Sequence, residues 1–227
     1  MTVQKTRLKA KICGLTTPDM VKTAVQARAD FIGLVFYPPS PRFVMPEAAA
    51  ALARLVPAST RVVGVFVDPT DAWLEEVLSE VPLDVVQLHG KESPERVEAI
   101  AKQYPLPLIK ALGIAEMKDL QAAIDYHSLV KWLLFDTKLP PHVHVLPGGT
   151  GVSFDWSILQ KNERNCQLLE ALNGRWFLSG GIRMDNLQEA ISVTGASMVD
   201  VSSGVESRPG VKDGHKIRQF LQLATGL

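Results

Sequence analysis

Short runs of apolar, largely β-branched residues recur along the chain, each followed by turn residues and then by a stretch with helical spacing of apolar positions. The runs fall at residues 8–13, 31–36, 61–67, 84–89, 106–111, 131–136, 175–179 and 197–202, at a mean spacing of roughly 27 residues, the size of one βα unit. Between them lie amphipathic segments at 18–28, 46–55, 71–79, 94–102, 115–126, 186–193 and 213–223. Thr17-Pro18-Asp19, Asp68-Pro69-Thr70 and Ser93-Pro94-Glu95 each set a proline beside a capping side chain, a helix-start signature. Parallel strands need crossover connections, so this alternation predicts a parallel sheet. Eight units in a chain of this length predict an α/β fold, a single (β/α)8 barrel of eight parallel strands over residues 1–227. Alternation alone also fits an open doubly wound sheet; the count of eight favours closure. The longest irregular stretch, 138–151, follows the sixth strand and reads as a functional or mobile loop.

Composition narrows the class. The 227 residues carry 24 Lys+Arg against 24 Asp+Glu, which argues against a partner held by counterion release, such as nucleic acid or an acidic membrane. No apolar stretch approaches the ~20 residues that span a bilayer. The first residues alternate charge with apolar side chains and lack a signal-peptide core. Cys13 and Cys166 are the two cysteines, so no disulfide framework organises the fold. A reduced, cytoplasmic chain, monomer or homodimer, acting on a small molecule is the simplest expectation.

Chemistry gathers where barrels place it, at the carboxyl ends of the strands. Ser179-Gly180-Gly181 and Ser202-Ser203-Gly204 end the two adjacent strands where barrels commonly hold a phosphate. Glycine lets backbone N–H groups approach an oxyanion, although the same residues also make tight βα turns. Cys13 ends the first strand on the same face as Lys11, whose ammonium is expected to favour the thiolate; burial as a structural thiol is the alternative. Asp136 shares a face with Trp132 and Leu134, which makes it either a helix cap or an acid in a partly apolar site, where burial favours the neutral form.

The ordered set Lys11-Ile12-Cys13-Gly14, Ser40-Pro41-Arg42, Gln87-Leu88-His89-Gly90, Gly148-Gly149-Thr150-Gly151, Ser179-Gly180-Gly181, Asp200 to Glu206 and Gly210-Val211-Lys212-Asp213 resembles the phosphoribosylanthranilate isomerase family of tryptophan biosynthesis. The resemblance departs at Val152, where a lysine is usual, and at Ser179 and Ile182, where alanine and leucine are. It implies an Amadori rearrangement of a phosphoribosylated anthranilate without metal or cofactor, with Cys13 as general base and Asp136 as general acid. It also implies that Arg42 meets the anthranilate carboxylate, a role that a planar guanidinium fork suits and that a surface arginine would not fill. Asp200 is a candidate for the sugar hydroxyls or a loop-ordering cap, and Gln87 for a substrate contact or packing. A metal-dependent pentose-phosphate epimerase would need several His and carboxylate ligands at strand ends, and His89 is the one histidine there. A non-catalytic phosphoribosyl-binding module would keep the glycine loops but could dispense with Cys13 and Asp136.

Overall fold

The computed structural model describes residues 7–138, 151–162 and 165–227. Eight parallel strands close into a barrel in sequence order: β1 (Lys9–Cys13), β2 (Phe31–Val35), β3 (Arg61–Phe66), β4 (Val85–Leu88), β5 (Leu108–Ile114), β6 (Trp132–Thr137), β7 (Trp176–Leu178) and β8 (Met198–Val201). Closure is made by β8 pairing β1, with Lys11 opposite Asp200 and Ile12 opposite Val201. That ring rules out the open sheet.

Alternate side chains of each strand fill the barrel or face the helices. Phe31, Val63, Val85, Ile109, Trp132, Leu134, Phe177 and Met198 pack inside, with Phe31, Trp132 and Phe177 meeting edge to face. Ile12, Leu34, Val86, Leu88, Leu133 and Val199 point outward to the helices α1 (Pro18–Gln26), α2 (Pro46–Ala53), α3 (Asp71–Glu80), α4 (Pro94–Gln103), α5 (Met117–Gln121), α6 (Ala123–Tyr126), α7 (Cys166–Leu172), α8 (Leu187–Thr194) and α9 (Gly214–Gly226). Caps set several helix starts: Thr70 accepts from Trp73 N, Ser93 from Arg96 N, and Asp213 from His215 N and Lys216 N. Thr17 makes no such side-chain bond, so Pro18 with its fixed φ starts α1. Before α3 it is Thr70, not Asp68, that caps.

Four expectations needed revision. Strand 5 starts at Leu108 rather than 106, because Pro107 has no N–H to donate to the ladder, and it runs on through Gly113 to Ile114. The single helix expected over 115–126 breaks at Ala122, where i to i+3 bonds from Ala122 N to Asp119 O and from Asp125 N to Ala122 O tighten the chain. α7 escaped the periodicity because it is seven residues long, and it ends at Asn173 in the left-handed conformation. After β8 a short turn (Ser203–Val205) leads into an unanticipated hairpin, β9 (Glu206–Arg208) with β10 (Val211–Lys212). Of the expected loop 138–151, residues 139–150, with His142, His144 and Gly148-Gly149-Thr150, lie outside the described residues.

Candidate active site

At the carboxyl end of the barrel a pocket of about 490 Å³, open mouth included, is lined by Cys13 from β1, Tyr37, Ser40 and Arg42 from the loop after β2, His89 after β4, Asp136 from β6, Ser179 after β7, Asp200 from β8 and Ser202 after it. Val35, Val65 and Val67 form its apolar wall. A smaller annexe of about 260 Å³ shares Asp136, Ser179, Asp200 and Ser202 with it and adds Gly180, Gly181 and Ser203. Gly180 and Gly181 take positive φ of 78° and 65°, a conformation L side chains rarely adopt. Gly204 does not line this space; it packs on the carbonyl of Ile182.

Alternation along β1 does set Lys11 and Cys13 on one face, but the expected electrostatics fail. Lys11 Nζ is committed to Asp200 Oδ1 at 2.8 Å, and both groups are buried. Burial pushes the Cys13 thiol above the ordinary cysteine range; Lys11 and Lys212 pull it down, while Asp200 pushes it further up. The free protein therefore holds Cys13 as a thiol rather than the expected thiolate. For Lys11 itself, burial opposes the charge, yet Asp200 and Cys13 outweigh it and raise its pKa. Asp200 also accepts from Ser179 Oγ at 3.2 Å.

Arg42 is 8% exposed, so it is a wall of the pocket and not a surface arginine. Glu206 grips it in bidentate fashion, accepting from Nε at 2.7 Å and from Nη2 at 2.9 Å. Lys212 Nζ donates to the same Glu206 at 2.7 Å and to the Ser202 carbonyl at 2.9 Å. Burial weighs against the Glu206 charge, but Arg42 and Lys212 win and hold its pKa down to about 2. Burial lowers the pKa of Lys212 despite Glu206. Arg42 lines the pocket, while Glu206 and the fully buried Lys212 stand behind it.

Among the described residues Asp136 caps no helix. Its Oδ1 accepts from Thr137 N at 2.8 Å and its Oδ2 lies 3.1 Å from His89 Nε2. Gln87 does not line the pocket: it is fully buried one strand position pair below His89, with its Nε2 2.8 Å from His89 Nδ1. Sequence reasoning passed over His89, Glu206 and Lys212 as site residues. The two-residue step from Gln87 to His89 was the available signal for the first; a hairpin unseen in the pattern hid the others. Among the described residues no three His, Cys, Asp or Glu side chains converge as metal ligands.

Residues 10–223 match the family model described as N-(5'phosphoribosyl)anthranilate (PRA) isomerase. The chain belongs to the phosphoribosylanthranilate isomerase family. A curated member from Paramagnetospirillum magneticum is 49% identical over 219 residues, covering 96% of this chain and 98% of that one. The crystal structure of phosphoribosyl anthranilate isomerase from Thermotoga maritima superposes with a TM-score of 0.80 at 36% identity, over 97% of this chain and 100% of the other. A crystal structure of phosphoribosyl anthranilate isomerase in complex with reduced 1-(o-carboxyphenylamino)-1-deoxyribulose 5-phosphate gives a TM-score of 0.78 at 35% identity over 97% and 100% of the two chains. Nothing in these relationships favours an epimerase or a bare binding module.

Proposed function

We propose that the protein isomerises N-(5'-phosphoribosyl)anthranilate to 1-(2-carboxyphenylamino)-1-deoxyribulose 5-phosphate in tryptophan biosynthesis, with Asp136 as general acid and Cys13 as general base. Membership of the family supports the reaction. The observation that carries the residue roles is that Cys13 and Asp136, from strands well apart in the ring, line one pocket with a glycine-edged annexe beside it.

The phosphate is assigned to that annexe, where the backbone N–H groups of Gly180, Gly181 and Ser203 are the candidate donors, the Ser202 hydroxyl being donated to the Cys13 carbonyl. The anthranilate carboxylate is assigned to Arg42, which lines the pocket and is braced from behind by Glu206 and Lys212. Asp200, neutralised by Lys11, is left to order Ser179 and to meet sugar hydroxyls. Asp136 protonates the furanose ring oxygen, the C1'–oxygen bond breaks, and a protonated Schiff base forms. Cys13, its thiol proton released to solvent as the cation forms, then removes the C2' proton as the thiolate; that bond's electrons form C1'=C2', and the C1'=N pair moves to nitrogen. Finally Asp136 takes the 2'-hydroxyl proton, and Cys13 gives one to C1' and regains its own from solvent, so both groups end in the states in which they entered the turnover. The Schiff-base cation arises in the same pocket as Cys13 and favours the thiolate at the step that needs it.

Purified protein given freshly prepared phosphoribosylanthranilate should consume it, followed by loss of anthranilate fluorescence. Asp136→Asn and Cys13→Ser should each lose roughly 10²–10⁴-fold in kcat with an unchanged circular dichroism spectrum. Wild-type turnover in both variants would overturn the assignment.

A further inference from the structure

The backbone that carries His89 is braced from outside the barrel. Alternation along β5 turns Ile109 and Ala111 inward and Lys110 out toward the helices, into the layer occupied by Leu88, Leu108 and Leu133. There Lys110 is buried with Glu92, Nζ to Oε2 at 2.8 Å, and its ammonium lies 5.7 Å from the centre of the Tyr126 ring. Neither member of the pair lines the pocket or its annexe. A buried ion pair seldom adds stability over apolar side chains of like volume, so a lysine in this layer calls for another reason.

We propose that Lys110 and Glu92 form a clamp that positions the acid, acting through His89. The pair holds both polar groups of residue 90: Lys110 Nζ donates to Gly90 O at 2.8 Å, and Gly90 N donates to both Glu92 carboxylate oxygens at 3.1 Å. On the other side, His89 N donates to Phe66 O at 2.8 Å. The backbone of His89 is thus fixed at both ends. Its Nε2 lies 3.1 Å from Asp136 Oδ2, while Thr137 N donates to Oδ1 at 2.8 Å, so the two contacts together set the plane of the carboxyl group. Two neighbours extend the clamp. Asp68 N, from the loop after β3, donates to Glu92 Oε1 at 2.9 Å, and Tyr126 at the end of α6 donates its hydroxyl to Glu92 O at 2.9 Å. An ångström of drift in this backbone would be passed through the imidazole to Asp136, and misplacement on that scale costs up to about 100-fold in rate. Lys110 and Glu92 are positioning residues, because they meet no reacting atom.

The clamp rests on Asp136 being the acid, and its test separates the two. Lys110→Met with Glu92→Gln removes the ion pair and the bond to Gly90 O, but keeps an acceptor for Asp68 N and Gly90 N. Single-turnover rates with phosphoribosylanthranilate are measured for this double variant, for His89→Ala and for the combination, beside urea denaturation of each. The expected loss is roughly 10-fold or more when His89 is present, with KM little changed, and no further loss in the His89→Ala background. A packing role predicts equal losses in both backgrounds, and that additivity overturns the clamp. So does a wild-type rate in the folded double variant. Tyr126→Phe removes one bond at the edge and threatens the fold least. It should cost roughly 3-fold, an effect that again vanishes with His89→Ala, and this second cycle decides if the double variant does not fold. Full activity of Asp136→Asn would reject the acid assignment and the clamp with it, whereas a disabled Asp136→Asn beside additive cycles rejects the clamp alone.

Discussion

Cys13 lies near two lysines and still keeps its proton. Burial removes water from the thiolate, and that cost exceeds what Lys11 and Lys212 return. Lys11 is spent on Asp200, a residue 189 positions away that reaches it through barrel closure. The period-two pattern of β1 placed Lys11 beside Cys13 correctly; no local pattern could show that β8 would supply a carboxylate to both. A resting thiol is expected to react slowly with iodoacetamide at neutral pH. In a Cys166→Ala background, the alkylation rate of Cys13 should rise with pH to a midpoint above that of a free cysteine. A midpoint at or below the free value would mean that the lysines win after all. Arg42 teaches the same lesson from the other side: its type fitted a carboxylate, but its burial depends on Glu206, which the pattern did not single out.

At the level of elements, strands and turn chemistry were legible because each βα unit carries its own periodicity and its own cap. What escaped was set by neighbours or by length: the start of β5 after Pro107, the tightened turn at Ala122, the short α7, and the β9–β10 hairpin. The two loops assigned to phosphate are joined at a point the motif alone misread. A Cβ on Gly204 would sit 2.2 Å from the Ile182 carbonyl oxygen, 3.1 Å from Val201 Cγ2 and 3.2 Å from Arg183 Cα, so the turn after β8 rests directly on the backbone after β7. Gly204→Ala must push these loops apart while leaving the barrel interior alone. Its expected effect is a KM for phosphoribosylanthranilate raised by roughly 10-fold or more, about 1.4 kcal/mol of binding, with weaker protection by inorganic phosphate. Unchanged KM and phosphate affinity would show that the annexe is not the phosphate site.

Across the whole molecule, charge is balanced at 24 against 24, and the overall count says little about function. What matters is that the buried charges are paired: Lys11 with Asp200 between distant elements, Lys110 with Glu92, and Glu206 with both the distant Arg42 and Lys212 of its own hairpin. The last cluster fastens the loop after β2 to the hairpin after β8, across the seam where the barrel closes. Glu206 has a folded pKa of about 2 against an ordinary value of 4.5, so its contribution to stability is fully present above about 4.5 and is lost as pH falls through about 2. That shift corresponds to a contribution on the order of 3 kcal/mol. Glu206→Gln keeps the volume but leaves two buried cations short of a counter-charge, a loss of about 3–5 kcal/mol at neutral pH. Urea denaturation of the two proteins should therefore show a gap that narrows as pH falls from about 5 toward 2. A gap of constant size across that range would mean that Glu206 acts through packing and not through its charge.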